Sequence, residues 1–214
     1  MDYNSYSKTN ADVFGKTPEK ILVDHVNMIS KGSPVLDIGA GQGRNTIYLS
    51  KLGYEVDAID PSSVSIKLMN ELKEAEKLNF NMFNMDFKNF TSNKNYSAVL
   101  VFGLIQILDW DEIDLLKNKI SSWLNKNGLL FITSFLVSDD SYERIKNESK
   151  EIGRNSYLRP SGEKRTFFKP GEIKKLFQEY KAVYYWEGLG PEHRHGDSSP
   201  ERHALVGAVF QKLD

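Results

Sequence analysis

Residues 35–43 read VLDIGAGQG. An apolar strand runs into three glycines at alternate positions, and Arg44, Asn45 and an amphipathic run follow at once. A chain that leaves a buried strand through so tight a turn and enters a helix has few folds open to it. A second apolar run over 54–59 then ends at Asp60. Strand, glycine turn, helix and strand in that order predict a parallel β-α-β unit with a crevice at the carboxyl ends of its strands. A carboxylate closing the second strand is where such a unit holds the ribose of a nucleoside cofactor.

The same alternation continues along the chain. Thr17-Pro18 reads as N-cap and first turn of a helix carrying Ile21, Leu22, Val26 and Ile29, closed by Lys31-Gly32. Strands are expected at 33–38, 54–59, 80–85, 98–102 and 129–135. Helices are expected over 42–52, then through Val64, Leu68, Met69, Leu72 and Ala75, then from an Asp109 cap to an Asn127-Gly128 stop. Pro170-Gly171-Glu172 starts a last helix that runs to Tyr180, and strands at about 182–187 and 203–211 follow. This pattern predicts an α/β fold, a doubly wound, Rossmann-like sheet of seven strands, mostly parallel, with helices on both faces.

With 214 residues, 40% of them hydrophobic, one sizeable core is expected, so 1–214 reads as a single domain with 1–31 as its N-terminal arm and helix. Residues 136–168 break the rhythm. They are charged and mixed in sign, and read as either a solvated excursion or a lid over the substrate. A net charge of −1 gives no reason to expect nucleic acid or an anionic membrane as partner. The chain has no cysteine, which excludes a disulfide framework, a thiolate metal site and a cysteine nucleophile, and suits a cytoplasmic enzyme. The polar start, Met1 to Tyr6, carries no apolar run long enough for a signal or a span.

The glycines follow G-x-G-x-G, not G-x-G-x-x-G, and Asp37 stands two residues before the first. That favours S-adenosylmethionine, which has no phosphate to cradle and needs close approach of backbone that a Cβ would block. Gly39, Gly41 and Gly43, with Ala40 between the first two, supply the approach. Asp37 is expected to receive the cofactor's ammonium or to orient the loop from beneath. Asp60, followed by Pro61, is expected to accept hydrogen bonds from both ribose hydroxyls.

At these residues the chain resembles class I S-adenosylmethionine-dependent methyltransferases. Within them it looks most like the tellurite-resistance, TehB-type family. The shared stretches are LDIGAGQGRN followed by Tyr48-Leu49, the GYEVDAID strand, and a C-terminal block from Phe168 to Ile173 and from Gly190 to Arg194. The resemblance implies a seventh strand inserted antiparallel, Arg44 and Asn45 as part of the cofactor loop, Asp86 meeting the adenine amino group, and Phe87 covering the ring. It also implies a Phe102-Gly103 floor near the sulfonium, and S-adenosylhomocysteine as product. The His193-Arg194 pair, with Arg202 beyond it, is the narrowest feature. Arginines suit oxyanions as planar bidentate donors, and a histidine manages a proton near neutral pH. His193, Arg194 and Arg202 are therefore expected to bind and orient a small anionic acceptor of the tellurite or selenite type, in a monomer or homodimer.

Other readings stay open. The acceptor class extends to a small thiol, amine or carboxylate metabolite, and a non-catalytic S-adenosylmethionine-binding regulatory module fits the same loop. An NAD-dependent oxidoreductase would use Asp60 too, but needs the other glycine spacing. A nucleic-acid methyltransferase would need a base-gripping element after the fourth strand, which is missing. His193, His195 and His203 lie close together without a carboxylate pattern, so no metal is expected. Tyr3, Tyr6 and Phe14 are candidates for a flap over the cofactor, and Trp110, Trp123 and Trp186 for packing.

Overall fold

A computed structural model describes residues 17–192 and 201–213. Its first helix, α1, is Lys20–His25, followed by a 3-10 turn at Val26–Met28. Strand β1 (Val35–Ile38) leads to α2 (Arg44–Lys51), β2 (Val56–Ile59), α3 (Ser63–Glu76), β3 (Asn81–Phe83) and β4 (Tyr96–Phe102). A 3-10 turn at Ile105–Ile107 precedes α4 (Trp110–Trp123) and β5 (Leu124–Phe135). Then come α5 (Ser141–Glu148), the short strands β6 (Lys150–Gly153), β7 (Ser156–Leu158) and β8 (Lys164–Thr166), and finally α6 (Glu172–Leu176), β9 (Tyr180–Leu189) and β10 (Ala204–Lys212).

Seven strands form one sheet in the order β3-β2-β1-β4-β5-β10-β9. The pairings β3-β2, β2-β1, β1-β4 and β4-β5 are parallel, and only β10 runs antiparallel, to both β5 and β9. The seven-stranded, mostly parallel α/β sheet with an antiparallel last strand is thus as expected.

The strands are buried on both sides, so alternate side chains feed two cores. Leu36, Ile38, Val99, Val101, Leu130 and Ile132 join Ile113, Leu116 and Ile120 of α4 and Ile173 of α6 on one face. Val35, Ala98, Leu100, Leu129 and Phe131 meet Leu22 of α1, Leu49 of α2 and Met69 of α3 on the other.

Several boundaries move for tertiary reasons. The first helix begins at Lys20 because the Glu19 N–H is taken by Asn45 Oδ1 at 2.9 Å, so Thr17-Pro18 stands outside it. The Asp109 cap holds as a full capping box with Glu112. Helix α4, however, stops at Trp123. Leu124 already pairs with Tyr96, and regular pairing resumes only at Leu129 opposite Ala98. Asn127, at φ 63°, makes the turn inside that bulge. The Asn-Gly signal therefore marks entry to a strand. Helix α6 is only five residues long, and Tyr180 opens β9.

The charged segment is folded. Strands β6, β7 and β8 make a small antiparallel sheet, and Ile145, Tyr157 and Phe167 bury together beneath Phe135, Val137 and Tyr142. Side-chain bonds to α4 and the turn before it help pin it to the main body. Lys164 Nζ lies 2.5 Å from Asp109 Oδ2 and 2.9 Å from Glu112 Oε2. The Thr166 hydroxyl donates to the Leu108 carbonyl at 2.6 Å, and the Trp110 indole donates to the Arg154 carbonyl at 2.8 Å. Among the described residues no helix is long and apolar enough to cross a membrane.

Asp109 serves both the α4 cap and Lys164. Asp109→Ala is expected to lower unfolding free energy by about 1 kcal/mol, the usual worth of an N-cap, measured by urea denaturation. Lys164→Ala is expected to speed amide exchange across β6–β8 while β1, β4 and β5 stay protected.

Candidate functional site

The crevice opens where β1, β2 and β4 end. The N–H groups of Gly39 and Ala40 both donate to the Ile59 carbonyl, at 2.9 and 3.1 Å, and Gly43 N–H donates to Ala40 at 2.9 Å. The loop is thereby stitched to the end of β2. Gly41 and Gly43 have φ of 56° and 85°, where a side chain is strained. Their surroundings differ. A Cβ on Gly43 would come within 2.5 Å of Met69, whereas one on Gly41 would meet no atom of the described residues within 4 Å. Gly43 is required by packing, and Gly41 faces space that the described residues leave open.

Asp60 lies at the mouth of this space and is 8% exposed. Its Oδ2 accepts the Gly41 N–H and its Oδ1 the Ser62 N–H, each at 2.8 Å. Burial pushes its carboxyl up, partly offset by those two donors. Pro61 is half-buried beside it. Asp37 is fully enclosed below the loop. Burial pushes its carboxyl up to about 6, against the pull of the Thr46 hydroxyl, which donates to it at 2.6 Å, and of the Arg44 charge. Asp37 therefore lies beneath the loop, bonded to Thr46 of α2.

Arg44 and Asn45 reach back rather than into the crevice. Arg44 pairs with the Glu19 carboxylate and Asn45 takes the Glu19 N–H. Asp86 sits beyond β3 in a local turn, its Oδ1 accepting the Lys88 N–H at 2.9 Å. Phe87 is 5% exposed and packs within the α4-side core. Phe102 is half-buried against Phe131, and Gly103, at φ 65°, donates to the Thr133 carbonyl and hydroxyl. Leu104 completes the rim against Gly39.

Arg202 is exposed just ahead of β10. His193, Arg194 and His195 lie outside the described residues, as do Tyr3, Tyr6 and Phe14. No group of three or more metal-ligating side chains occurs among the described residues.

Sequence reasoning missed Glu19, Thr46 and the pair formed by Asp139 and His203. Glu19 carries no local signal, since its partners are 25 and 26 residues away. The pair does carry one. Asp139 follows β5, His203 precedes β10, and pairing of those strands with Leu205 opposite Phe135 brings both to the sheet end that bears the crevice.

Asp37 titrates with a sign that can be checked. Its folded carboxyl lies above the unfolded value, so stability is greater below pH 4 and is lost as pH rises toward 6. Asp37→Asn is expected to remove that part of the pH dependence and to be at least as stable as the native chain at pH 7, by urea denaturation across pH 4–7.

The family model described as tellurite resistance protein TehB matches residues 6–146. The probable S-adenosyl-L-methionine-dependent methyltransferase TehB of Haemophilus influenzae is 32% identical over 137 residues, covering 61% of this chain and 48% of that protein. The chain thus spans about half the length of that curated relative. The crystal structure of TehB from Haemophilus influenzae superposes with a TM-score of 0.71 at 24% identity, over 91% of this chain and 62% of that one. The Burkholderia thailandensis 1,6-didemethyltoxoflavin-N1-methyltransferase, solved with S-adenosylhomocysteine, gives a TM-score of 0.65 at 19% identity, over 91% and 76%. These structures share the fold described above, and with well over half its residues matched by the family model, the chain belongs to the tellurite resistance protein TehB family.

Proposed function

We propose that the chain is an S-adenosylmethionine-dependent methyltransferase acting on a small anionic acceptor of the tellurite or selenite type. The observation that carries this reading is Gly41, whose left-handed backbone faces space left open by the described residues while its N–H is held by Asp60. A nucleoside cofactor fits there. Each Asp60 oxygen accepts one backbone N–H and keeps a second lone pair, which leaves capacity for two hydroxyls. Gly39, Ala40, Gly41, Gly43, Asp60 and Asp86 would hold the cofactor, with Asp37, Arg44 and Asn45 supporting the loop from behind. The name of the Haemophilus influenzae relative and the S-adenosylhomocysteine in the Burkholderia thailandensis structure support the same cofactor.

S-adenosylmethionine brings a methyl carbon already activated by a positive sulfur. The protein's share of the work is then orientation and exclusion of water. An oxyanion brings its own lone pair but must shed water and have its charge met, which suits the chemistry of Arg202, His193 and Arg194. The folded 136–168 segment, pinned to α4 through Lys164, serves this reading better as a fixed wall than as a lid.

Gly41→Ala is expected to weaken S-adenosylmethionine binding at least tenfold by calorimetry, while stability falls only by the roughly 1–2 kcal/mol of a left-handed alanine. S-adenosylhomocysteine release should be seen when tellurite, selenite, small thiols and organic acids are screened. Arg194→Ala and Arg202→Ala should raise the KM of an anionic acceptor with cofactor affinity little changed. A native chain that binds no S-adenosylmethionine would sink the reading.

A further inference from the structure

Asp139 accepts four hydrogen bonds. Its Oδ2 receives the His203 Nδ1–H and the Ala204 N–H, each at 2.9 Å, and its Oδ1 receives the Ser141 N–H at 3.0 Å and the Ser141 hydroxyl. Its side chain is 1% exposed. An ionised carboxylate only accepts, so Nδ1 of His203 must carry the proton in that bond. The tautomer is thereby fixed, and proton exchange falls to Nε2.

The place is suggestive. The His203 ring lies against Phe135, with centroids 4.5 Å apart. Phe135 stands two residues beyond Thr133, which receives the Gly103 N–H. At about 3.3 Å per residue that is about 7 Å further along β5, on the crevice side of the sheet. Among the described residues, three charged groups face the ring from the elements around it. Asp139 comes from the turn after β5. Glu201 precedes β10 with Oε1 3.9 Å from Nε2. Arg165 of β8 lies over the Phe135 ring at 5.3 Å. The bond to Asp139 raises the imidazole's pKa most. Burial opposes it, the Asp139 and Glu201 charges add to it, and Arg165 subtracts.

We infer that Asp139 and His203 form a catalytic dyad, with Nε2 of His203 as the base for an acceptor that carries a proton, such as a hydrogen oxyanion or a thiol. This rests on the methyltransferase reading above and narrows its substrate class. The acceptor's lone pair takes the methyl carbon from sulfur, which keeps the electron pair of the broken bond. The acceptor's proton passes to Nε2, and the resulting imidazolium is held beside the Asp139 carboxylate until it returns the proton to water. Asp139 is a positioning residue that fixes the ring and balances its charge, the logic by which a carboxylate supports a histidine base.

Two measurements on the full chain decide it. In proton NMR, with four histidines in the chain, the His203 signal is identified by its loss in His203→Gln. It should titrate above the ordinary histidine value of about 6.5 in the native chain and fall toward it in Asp139→Asn. In kinetics with a thiol or hydrogen oxyanion, His203→Gln should lower kcat by about 100-fold, flatten the acid limb of the pH profile, and leave S-adenosylmethionine affinity within twofold. Native kcat and an unchanged acid limb in His203→Gln overturn the dyad while the methyltransferase reading stands. If Asp139→Asn fails to fold, the native titration and the His203→Gln profile still decide between the outcomes. A native chain without turnover on any acceptor overturns both.

Discussion

The crevice depends on the grip of the Asp60 carboxylate on the Gly41 N–H. That bond joins two elements 19 residues apart at the point where β1 and β2 both end. Without it the glycine loop would still have its Ile59 anchors at Gly39 and Ala40, but the segment beyond them would lack a fixed course. Its second bond, to the Ser62 N–H, sets the entry to α3, where Ser62 in turn caps the helix by accepting from Ser65 N–H. One buried carboxylate thus organises the loop on one side and a helix start on the other. Removing it would take the acceptor from two backbone donors, and at the Ser62 end, which is buried, that is the costly kind of loss.

The second organising constraint is the antiparallel insertion of β10 between β5 and β9. A parallel strand there would begin at the far end of the sheet. Running the other way, β10 starts beside the end of β5, so the residues just before it arrive at the same edge as Phe135 and the turn that follows. The reversal brings Arg202 and His203, more than 60 residues downstream of β5, to the sheet end at which β1, β2 and β4 finish. The folded 136–168 segment packs Phe167 and Val137 around Phe135, which encloses that edge further.

What the sequence made legible follows from the range of the forces involved. The strands, the glycine loop and the Asp109 cap are set by local pattern, and each lies close to where periodicity and capping chemistry put it. The start of α1 was not legible, because Asn45 supplies its cap from across the chain. Asn127-Gly128 misled because one dipeptide suits a helix stop and a bulge turn alike, and burial of Trp123 and Leu124 decides between them. The burial of Phe87 was not legible for a related reason: a phenylalanine after a strand can cover a ligand or fill a core, and the core that buries it here is assembled from residues distant in the chain. The expected charged excursion turned out folded because its few apolar residues, spaced along Ile145, Tyr157 and Phe167, meet only once the small sheet has formed.

Asp37 and Asp139 show why burial alone does not assign a role to a carboxylate. Both are removed from solvent, and for both burial is the largest influence and pushes upward. Asp37 has one side-chain donor, Thr46, and stays up at about 6. Asp139 has the His203 ring, the Ser141 hydroxyl and two backbone N–H groups, which together overcome burial and hold it at about 2. A carboxylate that sits near its protonation point suits a structural place beneath a loop, where either form can be accommodated by the Thr46 hydroxyl. One that stays ionised throughout the working pH range suits a partner for a ring that gains and loses a proton. Depth and donors act together here: Asp37 is the more deeply enclosed and is met by Thr46 alone among its hydrogen-bond partners, whereas Asp139 is less deeply enclosed and accepts from His203, Ser141 and Ala204.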